Sequence, residues 1–162
     1  MIRTGWGYDA HRFGGDGPLV LCGVIVASER GLAGTSDGDA AAHALTDAIL
    51  GASGLGDIGD HFASSDPRWH GADSMDLLGR VAGMAKEAGY TVTSVDVTIV
   101  AEAVRIAPHR EAMRRRVASV LDLEISHVSV KATTTDGLGF TGRDEGIAAM
   151  AVASVAGHGE VT

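Results

Sequence analysis

Cysteine is almost missing from this sequence: of its 162 residues, only Cys22 is one. A lone thiol excludes an internal disulfide and a cysteine zinc cluster. Its place in the apolar run Leu19-Val20-Leu21-Cys22 reads as a buried structural thiol. Long hydrophobic runs are missing too. No stretch of eighteen uninterrupted apolar residues occurs, and Met1 to Asp9 carries glycines and charge where a signal peptide needs an apolar core. The expectation is a soluble, cytoplasmic protein with no membrane partner. Positive charge is in deficit: 13 Lys and Arg against 21 Asp and Glu give a formal charge of −8. That balance disfavours binding to a nucleic-acid backbone, and the run Arg114-Arg115-Arg116 then reads as a solvated helix face. There is no G-x-x-x-x-G-K-[ST] loop, which argues against nucleotide hydrolysis of the P-loop kind. An acidic chain can still hold a small phosphorylated ligand, because metal ions and backbone N–H groups supply local positive potential.

What is present suits one domain, residues 1–157, followed by a short tail, 158–162, in which His158 is expected in solvent rather than on a metal. The 23 glycines are dispersed and cluster at turns, so neither low complexity nor an internal repeat is indicated. Ile2 to Asp9 reads as a glycine-interrupted strand, with Pro18 to Ala27 as an extended pair returning beside it across the loop Phe13 to Gly17. Ala40 to Leu50 has helical composition and an apolar stripe at Ala41, Ala44, Leu45, Ala48 and Ile49, with Asp37 or Asp39 as its cap. A second helix is predicted from Ser74 to Ala88, stopping before Gly89, and a third from Pro108 to about Leu121. Strands are predicted over Thr91 to Ala101, with Val95, Val97 and Ile99 on one face, and around Val128, Val130 and Ala132. Gly146 to Val155 is ambiguous, its alanines favouring helix and its length and flanking glycines favouring strand. The fold class is α/β, an α+β sandwich: a mixed sheet of four to five strands with about three helices on one face. The other face is left for a partner subunit.

The chemistry concentrates in two places. Asp9 and His11, two residues apart on a strand, project to the same side and can share one metal. His43 on the first predicted helix is the third ligand, completing a zinc-type site with an open position. Asp47, four residues on from His43, shares its helix face and is expected to orient its imidazole. Taken alone, an Asp-x-His pair is equally a hydrogen-bonded strand end. The second cluster is Lys131-Ala132-Thr133-Thr134-Thr135-Asp136, running into Gly137-Leu138-Gly139-Phe140-Thr141-Gly142-Arg143. Its hydroxyls, backbone N–H groups and cation can cradle phosphate oxygens, and Asp136 can hold a harder ion such as magnesium. The bland alternative is a threonine-rich strand and a turn. Gly137, Gly139 and Gly142 spell G-x-G-x-x-G, but too little chain follows for a βαβ unit, and a dinucleotide site is rejected.

With these residues assembled, the chain resembles the 2-C-methyl-D-erythritol 2,4-cyclodiphosphate synthase family over nearly its whole length. The resemblance rests on Gly7-Tyr8-Asp9-Ala10-His11-Arg12-Phe13, Ser36-Asp37-Gly38-Asp39, His43-Ala44-Leu45-Thr46-Asp47-Ala48, Leu55-Gly56-Asp57-Ile58-Gly59, and Lys131 to Arg143. It implies a lyase of the non-mevalonate isoprenoid pathway. Such an enzyme converts 4-diphosphocytidyl-2-C-methyl-D-erythritol 2-phosphate to the cyclic diphosphate and CMP, in a homotrimer with active sites between subunits. It implies a zinc (or manganese) ion on Asp9, His11 and His43 and a magnesium (or manganese) ion on Asp136. Asp57, Ile58 and Gly59, with the loop Phe62-Ala63-Ser64-Ser65-Asp66, would surround the methylerythritol part. Ala101, Glu102, Ala103, Val104, Arg105, Ile106 and Ala107, with Thr133, Thr134 and Thr135, would receive the cytidine diphosphate part from a neighbouring subunit. Asp9, Ala10, His11, Thr35, Ser36 and Asp136 also count among the substrate contacts, and Phe140 and Arg143 would lie near the same ligand or the trimer axis. The catalytic positions would be Thr35 and Thr134.

Departures from the family pattern stand out at six positions. Thr35 occupies the place of a histidine used to stabilise the transition state, so weaker phosphate stabilisation is expected. Val104 stands for proline and Arg105 for lysine, the latter keeping the charge. Ser64-Ser65 replaces a more acidic, threonine-bearing loop, and Asp136 replaces a glutamate. Two rival functions stay in view: a zinc hydrolase using the same triad to activate water, and a non-catalytic trimeric module that binds a nucleotide.

Overall fold

The computed structural model describes residues 1–27 and 29–157; His158 and the rest of the tail lie outside them. In chain order it contains β1 (Ile2–Gly15), β2 (Leu19–Leu21), β3 (Val24–Ala27), β4 (Gly31–Leu32), α1 (Ala40–Ser53), α2 (Ile58–His61) and α3 (Ser74–Glu87). Then come β5 (Tyr90–Val100), α4 (Arg110–Leu121), β6 (Val128–Thr133), α5 (Gly139–Gly142) and β7 (Gly146–Gly157), with single 3-10 turns at Pro67–Trp69, Ala107–His109 and Ile125–His127. The main sheet has five strands in the order β4-β1-β7-β5-β6. It is mixed: β5 and β6 run parallel, while β1 with β7, β5 with β7 and β1 with β4 are antiparallel. The expected α/β class, strand number and three longer helices are all present.

The structure resolves the ambiguous segment 146–155 as strand β7, at the centre of the sheet. Its backbone is paired on both sides, from Arg12↔Gly146 to Ile2↔Ala156 with β1 and from Val100↔Ala148 to Tyr90↔Gly157 with β5. Two complete ladders outweigh the modest helix preference of alanine. Ile147, Ala149, Ala151, Ala153 and Val155 point into the core beside Val97 and Ile99 of β5.

Three other expectations need correction. β1 does not end at Asp9 but runs on to Gly15, because Phe13 and Gly15 pair with Leu32 and Gly31 of β4. The segment 18–27 does not return beside β1; β2 and β3 pair with each other as a separate hairpin. The arginine run is only partly solvated. Arg114 Nε donates to the Val128 carbonyl and Nη2 to that of Ile125, both at 2.8 Å, clamping α4 to the start of β6.

The position of α1 decides where the site forms. Asp39, fully buried, caps it by accepting the Ala42 N–H at 2.9 Å, and it also accepts the N–H groups of Cys22 and Gly23. Gly54 ends the helix in the left-handed region, φ 72°, which favours glycine. Leu45, Ile49 and Leu50 on α1 are completely buried, each contributing about 1.5–3 kcal/mol relative to exposure. Among the described residues no helix covers the opposite face of the sheet. There Trp6, 62% exposed, stacks with Tyr8 at 6.2 Å between ring centroids and sits directly across from Val152.

Candidate active site

Alternate residues of β1 face the helices: Gly5, Gly7, Asp9, then His11. A Cβ on Gly5 would fall 2.0 Å from the Ala48 carbonyl oxygen, and one on Gly7 would fall 1.9 Å from that of Ala44. The two glycines therefore let α1 lie against the strand, with its earlier residues towards the far end of β1. Where the glycines stop, side chains begin, and Asp9 and His11 meet His43 across the helix–strand gap.

The three groups converge closely. Asp9 Oδ2 is 2.8 Å from His11 Nε2 and 2.9 Å from His43 Nδ1, and the two nitrogens are 3.1 Å apart. Ligands bound to one ion at 2.0–2.1 Å with tetrahedral angles are separated by roughly 3.3 Å, so the cluster is close to the spacing such an ion requires. The other nitrogen of His11, Nδ1, lies 2.7 Å from the Ala33 carbonyl. A carbonyl only accepts, so Nδ1 carries a hydrogen, and with an ion bound Nε2 would be the nitrogen that offers a lone pair to it. Burial opposes the charge on Asp9, but hydrogen bonds from His11 and His43 outweigh it and hold the carboxyl well below the usual carboxylate range. The hydrogen bond that Asp9 accepts raises His11 above the ordinary imidazole value. One anionic oxygen and two imidazole nitrogens in a half-buried cleft form the only group of metal-ligating side chains found among the described residues.

The cleft around the triad has a volume of about 240 Å³. Thr35, Ser36, Ile58, Gly59, Phe62 and Ser64 line it, as the sequence leads one to expect. Ala10 does not, since it faces the other side of β1, and Ala63 and Ser65 are exposed outside it. Asp57 caps α2 in a capping box with Asp60, and Asp66 is occupied in capping the 3-10 turn and pairing with Arg68. The expected Asp47–His43 contact is absent. Asp47 instead accepts the Ile58 N–H at 2.8 Å, tying α2 to α1, and burial pushes its carboxyl up. The backbone N–H at the start of α2 is within reach of Asp47 and has no other acceptor in its helix. Ser36 and Ser74 hold the outer nitrogen of His43 in its place.

Trp69 and Leu77 also line the cleft, and the sequence reading missed both. Trp69 meets Phe62 edge-to-face at 5.0 Å, forming an apolar wall. A lone tryptophan among polar loop residues was the one available signal.

The second cluster is a separate concavity of about 260 Å³, bringing Ala101, Glu102, Ala103, Val104, Arg105, Ile106 and Ala107 together with Thr133 and Thr134. It shares no lining residue with the metal cleft. The Ala101 N–H donates to the Thr133 carbonyl at 3.1 Å, which holds the two segments side by side. Thr134 and Asp136 close a tight turn, the Thr134 hydroxyl donating to Asp136 Oδ1 at 3.1 Å, with Asp136 at φ 51°. Thr135 is half-buried and donates to the Leu138 carbonyl at 2.6 Å. Phe140 is exposed, and Arg143 is exposed and paired with Glu145. Oε2 of Glu102 is buried with no hydrogen-bond partner among the described residues.

Three comparisons bear on this geometry. A profile described as the YgbB family matches residues 2–156. Over 157 residues the chain is 56% identical to 2-C-methyl-D-erythritol 2,4-cyclodiphosphate synthase of Symbiobacterium thermophilum, covering 97% of this chain and 100% of that one. Among solved structures, the bifunctional IspDF of Campylobacter jejuni superposes with a TM-score of 0.93 at 42% identity, covering 96% of this chain and 42% of that one. A CDP-bound 2C-methyl-D-erythritol-2,4-cyclodiphosphate synthase superposes with a TM-score of 0.86 at 34% identity, over 95% of this chain and all of that one.

Proposed function

The chain belongs to the YgbB family, and from that premise we propose that it converts 4-diphosphocytidyl-2-C-methyl-D-erythritol 2-phosphate to 2-C-methyl-D-erythritol 2,4-cyclodiphosphate and CMP. The observation that carries the reading is the Asp9–His11–His43 cluster, with its donor atoms about 3 Å apart at the wall of a cleft. A relative matched end to end bears that enzyme's name, and a solved relative holds CDP.

The reaction needs no nucleophile from the protein. An oxygen of the substrate's 2-phosphate forms a bond to the β-phosphorus, the bond from that phosphorus to the oxygen bridging to the α-phosphorus breaks, and CMP leaves with the electron pair. The work lies in alignment and in balancing charge. A zinc or manganese ion on Asp9, His11 and His43, and a magnesium or manganese ion at Asp136, would supply Lewis-acid polarisation of the phosphates. The residues do the rest. Ile58 and Gly59, with the Phe62–Trp69 wall, exclude water around the methylerythritol part, and Ser36 and Thr35 border its phosphate. The 101–107 loop with Thr133 and Thr134 receives the nucleotide, Arg105 offering charge and Thr134 a hydrogen bond to the transition state.

In this reading the working site is assembled from neighbouring subunits of a homotrimer, as the family resemblance implies; that the two concavities share no lining residue on one chain is compatible with it. The exposed Trp6, Tyr8 and Val152 on the helix-free sheet face are the surface such an assembly buries. Phe140 and Arg143, exposed at one end of the sheet, belong near the same assembly. Among the described residues no helix is long and apolar enough to cross a membrane. The negative net charge supports an enzyme of small molecules rather than one that binds a nucleic-acid backbone.

The test is to incubate metal-loaded protein with the substrate and follow products by phosphorus NMR, with His43→Ala as control. CMP and cyclic diphosphate released in step, and lost in the control, is the expected result. An open-chain product would instead identify a zinc hydrolase, and no turnover by a metal-loaded trimer would identify a binding module.

A further inference from the structure

The two ring nitrogens of His43 have different tasks. Nδ1 faces Asp9 and His11, and the metal reading above, on which this inference rests, requires a lone pair there. The ring's single hydrogen must then sit on Nε2. Nε2 lies 2.9 Å from the hydroxyl oxygen of Ser74 and 2.9 Å from that of Ser36. Ser74, the first residue of α3, is 0% exposed. Both of its polar groups are held by one carboxylate: its backbone N–H donates to Asp37 Oδ2 at 3.0 Å, and its hydroxyl donates to Asp37 Oδ1.

A carboxylate can only accept, so the one hydroxyl hydrogen of Ser74 is directed at Asp37 and its lone pairs are left for the Nε2–H of His43. The chain of hydrogen bonds thus has a forced direction, from imidazole to serine to carboxylate. Ser36 lacks this constraint. Among the described residues its hydroxyl meets only His43 and Ser74, so its hydrogen can point either way.

We propose that Ser74, anchored by Asp37, is a positioning residue that fixes the ring plane and tautomer of His43, so that Nδ1 faces the metal cleft unprotonated. The loop before α1, the start of α3 and the ligand on α1 are thereby joined through one hydroxyl group. Partners of this kind on metal-bound imidazoles typically change metal affinity by about 10–100-fold.

The experiment uses zinc as the probe, in competition with a chromophoric chelator at fixed neutral pH, on the unmodified chain, Ser74→Ala and Asp37→Asn. Folding is monitored by circular dichroism, and the imidazole by nitrogen-15 NMR of the zinc-loaded protein. Ser74→Ala should weaken zinc binding by about 10-fold or more and speed exchange of the His43 Nε2–H, a signature that a purely structural role would not move. Asp37→Asn should act in the same direction, because its amide can donate to Ser74 and turn the hydroxyl towards Nε2. Zinc affinity within about twofold of the unmodified chain, with an unchanged Nε2–H resonance, would overturn the positioning role while leaving the metal site intact. If Ser74→Ala does not fold, the near-isosteric Asp37→Asn decides by the same criterion. An unmodified chain that fails to bind zinc would overturn the metal reading and this inference together.

Discussion

Gly7 lies so close beneath Ala44 that a Cβ on the glycine would sit 1.9 Å from the helix carbonyl oxygen. That approach sets the depth at which α1 rests on β1, and with it the distance from His43 to Asp9. Gly7→Ala should therefore destabilise the fold by about 1–3 kcal/mol, the usual cost of overpacking, and lower zinc affinity without touching a ligand. Urea unfolding and zinc titration on the same preparation check both; an unchanged zinc affinity would separate the helix contact from the site.

Chelation should abolish turnover and lower the melting temperature of the unmodified protein, with zinc restoring both. Binding to the native state alone stabilises by mass action, about 2.7 kcal/mol at a hundredfold excess over the dissociation constant. His43→Ala should lose this response, since only Asp9 and His11 then face the ion. Thermal melts with and without chelator provide the comparison.

Thr35 stands on the cleft wall where the family resemblance places a histidine. Restoring a ring that can carry charge, Thr35→His, should raise kcat by up to about 10-fold through stronger, charge-assisted bonding to the phosphate, with a smaller change in KM. A rate equal to or below that of the unmodified enzyme would show that Thr35 already suffices.

Trp6 stacks on Tyr8 across from Val152 on the helix-free face of the sheet. Trp6→Glu puts a charge into the surface assigned to the trimer, and burying it unpaired costs several kcal/mol. If the proposed trimer forms, sedimentation equilibrium should report trimers for the unmodified chain and monomers for Trp6→Glu, and turnover should fall with assembly.

Burial pushes the Cys22 thiol well above its ordinary value, and the residue is 0% exposed. Little thiolate is present near neutral pH, and none is accessible. A chromogenic disulfide reagent should leave the folded protein unmodified and react fully once the chain is unfolded in urea.

The long helices were readable in the sequence because their stripes and caps are local. Ala41, Leu45, Ala48 and Ile49 repeat at helical spacing and Asp39 marks the start of α1, whereas its end at Ser53, before Gly54, lies three residues beyond the expected Leu50. The Asp9–His11 pair was readable for the same reason, since two residues on one strand face must point the same way. β7 was not, because alanine packs in either conformation and only the flanking ladders of β1 and β5 settle it. Asp47 misled because helix spacing shows which residues share a face but not which neighbour across space offers a better donor, here the Ile58 N–H.

The sequence by itself pointed to the type of chemistry, through the spacing of Asp9, His11 and His43, the hydroxyl-rich run into Asp136, and a negative charge that disfavours a broad nucleic-acid surface. Only the tertiary structure decided the partners. It brought Ser74 from a distant helix to His43, set Trp69 against Phe62, and left the two concavities apart on one chain. Those contacts join residues far apart in sequence, and their geometry depends on how closely helix and sheet can approach, a distance governed at Gly5 and Gly7 by the absence of a side chain.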